Sequence, residues 1–102
     1  MSELLDRQIE FSRKLATLTY WMMCEGIAWK LGRGLCCENC SKPTSLHRLS
    51  LAVDLLLFVD GVYQTETEAY RAIGEKWESL GGSWGGRWGD GNHLSLSYGG
   101  YR

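Results

Sequence analysis

Ser45-Leu-His-Arg-Leu-Ser-Leu-Ala-Val-Asp54, running on into Leu55-Leu-Leu-Phe-Val59, is the stretch from which the rest of the chain can be read. Residues 51–59 are almost continuously apolar, the pattern of a strand buried on both faces and therefore central in its sheet. One carboxylate, Asp54, stands at the head of that run, and an imidazole, His47, precedes it by seven residues. A charge at the edge of a buried strand is costly unless it is paired or coordinates a metal. The chain has only two histidines, and the second, His93, follows another carboxylate, Asp90, by three residues. Two histidines and two carboxylates are the smallest set from which a catalytic zinc site can be built: three ligands, one open position and one general base.

Outward from this strand, Asp60-Gly61 is a strong hairpin signal, and Val62-Tyr63 would return antiparallel. Thr65 and Glu68 have capping-box spacing for a following helix, whose buried face would be Ala69, Ile73, Trp77 and Leu80. Gly81-Gly82 ends it, Trp84-Gly-Gly-Arg-Trp88 follows as an aromatic strand or loop, and residues 93–97 alternate as a last strand. Toward the N-terminus, Ser2 is placed to cap a helix over residues 3–24, with Glu3 and Asp6 at the positive end of its dipole. Leu4, Leu5, Ile9, Leu15, Leu18 and Met22 share one face of that helix, and Gly26 stops it. Residues 27–32 read as a short strand and 33–46 as loop. This order predicts an α+β fold in which helices flank a small antiparallel sheet.

At 102 residues the chain is expected to form one domain, residues 1–102, burying about 60–70% of its unfolded surface. With 11 basic and 12 acidic residues, a net charge of −1 and no basic patch that stands out, nucleic-acid binding has little electrostatic support and is not expected. No segment approaches the roughly 18 apolar residues of a membrane span. The first residues lack the basic and apolar regions of a signal peptide, so synthesis in a cytoplasm is expected; separately, the chain is expected to be a monomer. Four cysteines, Cys24, Cys36, Cys37 and Cys40, fit a reduced compartment as free thiols. Cys37 and Cys40 have CxxC spacing, which also suits a structural zinc or a redox pair, but the second knuckle of a cysteine zinc site is missing.

In the zinc reading, His47 comes from a loop, Asp54 from the central strand and His93 from a neighbouring strand. Asp90, on an Asp-Gly-Asn turn, moves the proton of the attacking water. Spacing alone also allows a loop histidine, a capping aspartate and a plain Asp90-Gly91 turn.

At these residues the chain resembles the zinc D-alanyl-D-alanine carboxypeptidase and L-alanyl-D-glutamate endopeptidase family, particularly its phage endolysin branch. The family pattern Ser-x-His-x-x-Gly-x-Ala-x-Asp is met by Ser45 to Asp54 at every fixed position but the glycine, and its final acidic residue three before a histidine by Asp90-Gly-Asn-His93. Leu57-Phe-Val-Asp-Gly-Val-Tyr63, Gly74-Glu-Lys-Trp-Glu-Ser-Leu80 and Trp84-Gly-Gly86 add to the likeness. The resemblance implies that His47, Asp54 and His93 bind one Zn2+ and that Asp90 is the catalytic acid/base. It implies a fold shared with the hedgehog signalling domain. It further implies hydrolysis of a stem-peptide bond in bacterial peptidoglycan, typically after L-alanine, in cell-wall lysis.

Ser50 stands where the family has glycine, and Arg87 where an aspartate is common. The family's arginine after the first strand, which holds substrate or polarises the scissile carbonyl, falls in a short cysteine-rich loop here. Arg33 is the candidate for that role. Ser45, Arg48, Trp84 and Trp88 are the candidate substrate contacts. The altered loop also motivates a second reading, a catalytically degenerate member that binds cell wall or a protein.

Overall fold

A computed structural model describes residues 2–32 and 51–98 of the chain. Helix α1 spans Glu3–Cys24, and the Ser2 side chain accepts from Leu5 N at 3.1 Å, the cap expected from its sequence. Gly26, at φ 72°, takes the left-handed conformation that turns the chain into β1, Ala28–Leu31. The inward face of α1 buries Phe11, Leu18 and Met22, with Leu4 and Leu15 partly covered. Leu5, predicted on that face, is 41% exposed.

Strand β2, Ala52–Val59, is the axis of a five-stranded antiparallel sheet. It pairs over Leu55–Phe58 with β1 on one side. On the other it pairs first with β5, His93–Ser95, and then with β3, Val62–Tyr63. β4, Ser83–Trp84, lies outside β5. Asp60 and Gly61 both adopt positive φ, 52° and 79°, the primed turn whose twist suits a tight hairpin.

Helix α2, Arg71–Ser79, follows a 3-10 turn at Thr67–Tyr70. The predicted Thr65–Glu68 capping box does not form. The 3-10 turn starts after Glu66 without a side-chain cap, and Glu68 instead accepts from Arg71 Nε at 2.7 Å. A charge-assisted bond to a guanidinium outcompetes a neutral backbone amide. The aromatic segment after α2 divides between β4 and a second 3-10 turn, Gly85–Trp88.

The two faces of β2 have separate tasks. Leu51, Val53, Leu55 and Leu57 point into the core under the helices. There Phe11 meets Trp77 edge to face at 5.6 Å, and Trp77 Nε1 donates to Ser95 O at 2.9 Å. Residues of the opposite parity, Asp54, Leu56 and Phe58, occupy the other face, and all three are half-buried. The observed architecture is the α+β arrangement expected from the order of elements. No described helix is long and apolar enough to cross a membrane.

Candidate metal and catalytic site

The sheet register brings Asp54 and His93 together. They are direct cross-strand partners, so both side chains rise from the same face. His93 is buried at 8% exposure. Its Nδ1 lies 3.9 Å from Asp54 Oδ1 and 4.0 Å from Asp90 Oδ2. Both distances exceed hydrogen-bond reach. Two donors bound to one zinc at about 2.0–2.2 Å stand roughly 3.4 Å apart in tetrahedral geometry. The Asp54–His93 pair therefore needs to close by only about half an ångström to share an ion. One imidazole nitrogen facing one carboxylate on a rigid strand pair fits the donor chemistry of zinc.

Asp90 is set by a tightly anchored turn. Its N–H donates to Gly85 O at 2.8 Å, and its own carbonyl accepts from His93 N at 3.1 Å. Asn92 O accepts from Leu55 N at 2.8 Å, which ties the turn to β2. Gly89, at φ 84°, supplies the left-handed bend just before it. Gly85 must be glycine for space, because a Cβ there would lie 2.3 Å from Asp90 O and 2.7 Å from His93 Cβ. The Asp90 side chain is 53% exposed, against 26% for Asp54, so the two carboxylates differ in access to water.

Trp84 does not line a substrate groove, contrary to expectation. It is 1% exposed and donates from Nε1 to Gly91 O at 2.7 Å, supporting the Asp90 turn from beneath. It is closely packed against Gly74 and Gly86, while the guanidinium groups of Arg71 and Arg87 sit 5.7 and 5.2 Å from its ring. Gly74 and Gly86, the first in a predicted helix and the second in a predicted strand or loop, leave the space the indole occupies. Trp88 is 43% exposed with its ring 5.8 Å from the His93 ring, so it borders the site. Arg87, where the family favours aspartate, makes two bonds to Glu78, at 2.9 and 2.7 Å. The Arg87 hydrogen bond holds the Glu78 carboxyl below its ordinary range.

Tyr70 has a role that sequence reasoning missed. Its buried hydroxyl accepts from Leu57 N at 3.0 Å and donates to Gln64 O at 2.8 Å, filling the break on the β2 edge between β5 and β3. Burial raises the phenol above its usual pKa of 10.0, so it stays protonated and keeps donating. In the sequence it falls inside the helix expected after Thr65, off that helix's expected buried face.

Arg33, Ser45, His47 and Arg48 lie outside the described residues, as do Cys36, Cys37 and Cys40; Cys24 is an exposed free thiol. Among the described residues, no group of three or more histidine, cysteine or acidic side chains is arranged to hold an ion. Asp54 and His93 are the donors the described part brings together.

Residues 39–96, more than half of the chain, match the model of the family described as D-alanyl-D-alanine carboxypeptidase. The chain belongs to the D-alanyl-D-alanine carboxypeptidase family. The match covers His47, Asp54, Asp90 and His93, the expected ligands and acid/base, and leaves out Arg33. No curated protein matches the chain closely enough to count as a relative. As a carboxypeptidase-family member the chain is a peptidoglycan-related peptidase.

Proposed function

We propose that this family member is a zinc-dependent hydrolase of peptidoglycan stem peptides, of the endolysin type, cutting between L-alanine and D-glutamate. The observation that carries the reading is the convergence of Asp54 Oδ1 and Asp90 Oδ2 on His93 Nδ1, at 3.9 and 4.0 Å. His47, Asp54 and His93 are the proposed zinc ligands. When bound, zinc would acidify a water molecule and polarise the scissile carbonyl.

The chain's own residues do the rest. Asp54 and His93, fixed on paired strands, hold their donor atoms in place before any ion arrives. Asp90, more exposed and on the adjoining turn, takes the proton of the attacking water and returns it to the leaving amine. Arg33 supplies positive charge toward the carbonyl oxygen. Ser45, Arg48 and Trp88 contact the stem peptide. Residues 1–102 act as one catalytic unit, as a monomer.

Mass analysis of fragments released from purified peptidoglycan, with and without a chelator, tests this. Release of new amino-terminal D-glutamate that stops on chelation is expected. A protein that still cleaves after His93→Ala, or that takes up no zinc, refutes the reading. Zinc uptake at one per chain without cleavage supports instead a degenerate wall-binding member.

A further inference from the structure

The break in the sheet beside Asp90 forms a cleft to which the proposed mechanism assigns no occupant. β5 pairs with β2 only as far as Asp54, and β3 joins at Phe58. A polar cavity of about 100 Å³ opens there, between the Tyr63–Thr67 segment and the Gly89–Asn92 turn. Its walls include Tyr63, Gln64, Thr65, Thr67 and Asn92, and Asp90 belongs to the same lining.

The walls are held by bonds that need no ligand. The Tyr70 hydroxyl fastens Gln64 to β2, and Trp84 Nε1 fastens Gly91. Gly91 is packed so closely on Thr67 that a Cβ would lie 2.7 Å from Thr67 Cα. A preformed cleft loses little ordering entropy when it is filled.

We infer that this cleft receives the leaving-amine half of the substrate and selects a neutral carboxamide over a carboxylate on the carbon bonded to the scissile nitrogen. The inference rests on the peptidase reading, in which Asp90 returns a proton to that nitrogen. The nitrogen must then come within hydrogen-bond reach of Asp90. The substituents of the next carbon fall on the Asp90 side of the site, where the cleft opens. The residues lining the cleft carry amide and hydroxyl side chains, and Asp90 is the one acidic residue among them. A carboxamide can both donate to and accept from such groups and brings no charge. A carboxylate in the same place stands near Asp90 as a like charge and has no proton to donate. A water molecule takes roughly 30 Å³ of liquid, so the cleft has room for about three water-sized groups, enough for a carboxamide.

The matched probes are D-glutamine and its α-carboxamide, D-glutaminamide, which differ only in the group at issue. Both are titrated into the full chain and followed by backbone amide chemical shifts. D-glutaminamide should bind about tenfold more tightly, with shifts concentrated at Gln64, Thr67, Gly91 and Asn92. Gln64→Lys, which brings a cation to the wall, should abolish or reverse the preference. Thr67→Val, which keeps the side-chain shape, should weaken D-glutaminamide binding severalfold. Equal affinities, tighter D-glutamine, or shifts away from the cleft overturn the inference. A peptidoglycan digest run alongside separates the two ideas. Cleavage with equal probe affinities sinks the subsite alone. A tenfold preference without cleavage sustains the selectivity of the cleft and sinks the peptidase reading.

Discussion

Replacing Gly74 with alanine sets two physical rules against each other, and the structure decides the sign. Gly74 sits in the interior of α2. By helix propensity alone, Gly→Ala there should stabilise by about 1 kcal/mol. The new Cβ, however, would lie 2.0 Å from Cδ2 of Trp84, 2.2 Å from Cε2 and 2.4 Å from Cγ. Ordinary carbon contacts are about 3.5–4.0 Å, so ring and helix must separate by roughly 1.5 Å. Neither is placed to yield. The indole is tethered to Gly91 O at 2.7 Å, and a Cβ on Gly86 would already stand 2.1 Å from its Cζ2. Overpacking of a tight core costs typically about 1–3 kcal/mol, sometimes more. Losing the indole hydrogen bond strands a buried carbonyl at about 1–3 kcal/mol. Set against the propensity gain, the net expectation is a loss of about 1–5 kcal/mol. At roughly 4–8 °C per kcal/mol for a domain of this size, melting should fall by at least about 4 °C.

The assay is thermal and urea unfolding by far-ultraviolet circular dichroism, with peptidoglycan cleavage measured well below the melting temperature. Cleavage should fall by more than the unfolded fraction explains, because Trp84 anchors the turn that carries Asp90. A Gly74→Ala protein that melts higher than the parent, with cleavage intact, would refute the packing argument.

Three further outcomes follow from the same geometry. Asp90→Asn should retain zinc but lose about 100- to 10,000-fold in kcat, the usual contribution of a general acid/base; steady-state cleavage with metal analysis checks it. Ser2→Ala removes the cap on Leu5 N and should cost about 1 kcal/mol of unfolding free energy, read as a lower urea midpoint with unchanged slope. Glu78, held below its ordinary value of 4.5 by its hydrogen bond to Arg87, contributes stability that is present above that value and is lost as pH falls through its lowered pKa. The difference between the melting curves of parent and Glu78→Gln should therefore narrow as pH is lowered from neutral into the acid range, the neutral-pH gap being at most about 1 kcal/mol for so exposed a pair.

What could be read from the sequence was what short-range chemistry encodes. The ends of α1 were legible because Ser2 and Gly26 act on their own neighbours. The Asp60-Gly61 hairpin was legible because only a few residue types accept positive φ at both turn positions. The apolar run 51–59 announced the central strand, and the alternation after His93 announced its partner. Long-range competition was not legible. Glu68 had the spacing of a capping residue and nothing nearby to show that Arg71 would claim it. Trp84 lay among glycines, and a sequence cannot distinguish glycines that make a loop from glycines that make room for an indole. At the site, the proximity of Asp54, Asp90 and His93 followed from strand order and motif spacing, and the structure brings these three together.

Core and site are the two faces of the same strand pair, and this fixes how the site can fail. A slip of one residue between β2 and β5 would turn His93 away from Asp54 and drive its ring toward the helices. Four contacts on the buried side prevent it. Leu94 is paired between Val53 and Trp84, Trp77 Nε1 holds Ser95 O, Leu55 N holds Asn92 O, and Leu96 N holds Leu51 O at 2.9 Å. None of these residues is a proposed ligand, yet each sets where a proposed ligand stands. Zinc donors must sit within a few tenths of an ångström of their places, whereas a hydrophobic core tolerates larger shifts before it unfolds. Loosening any of the four should therefore weaken metal affinity first, at temperatures where the helices are still intact.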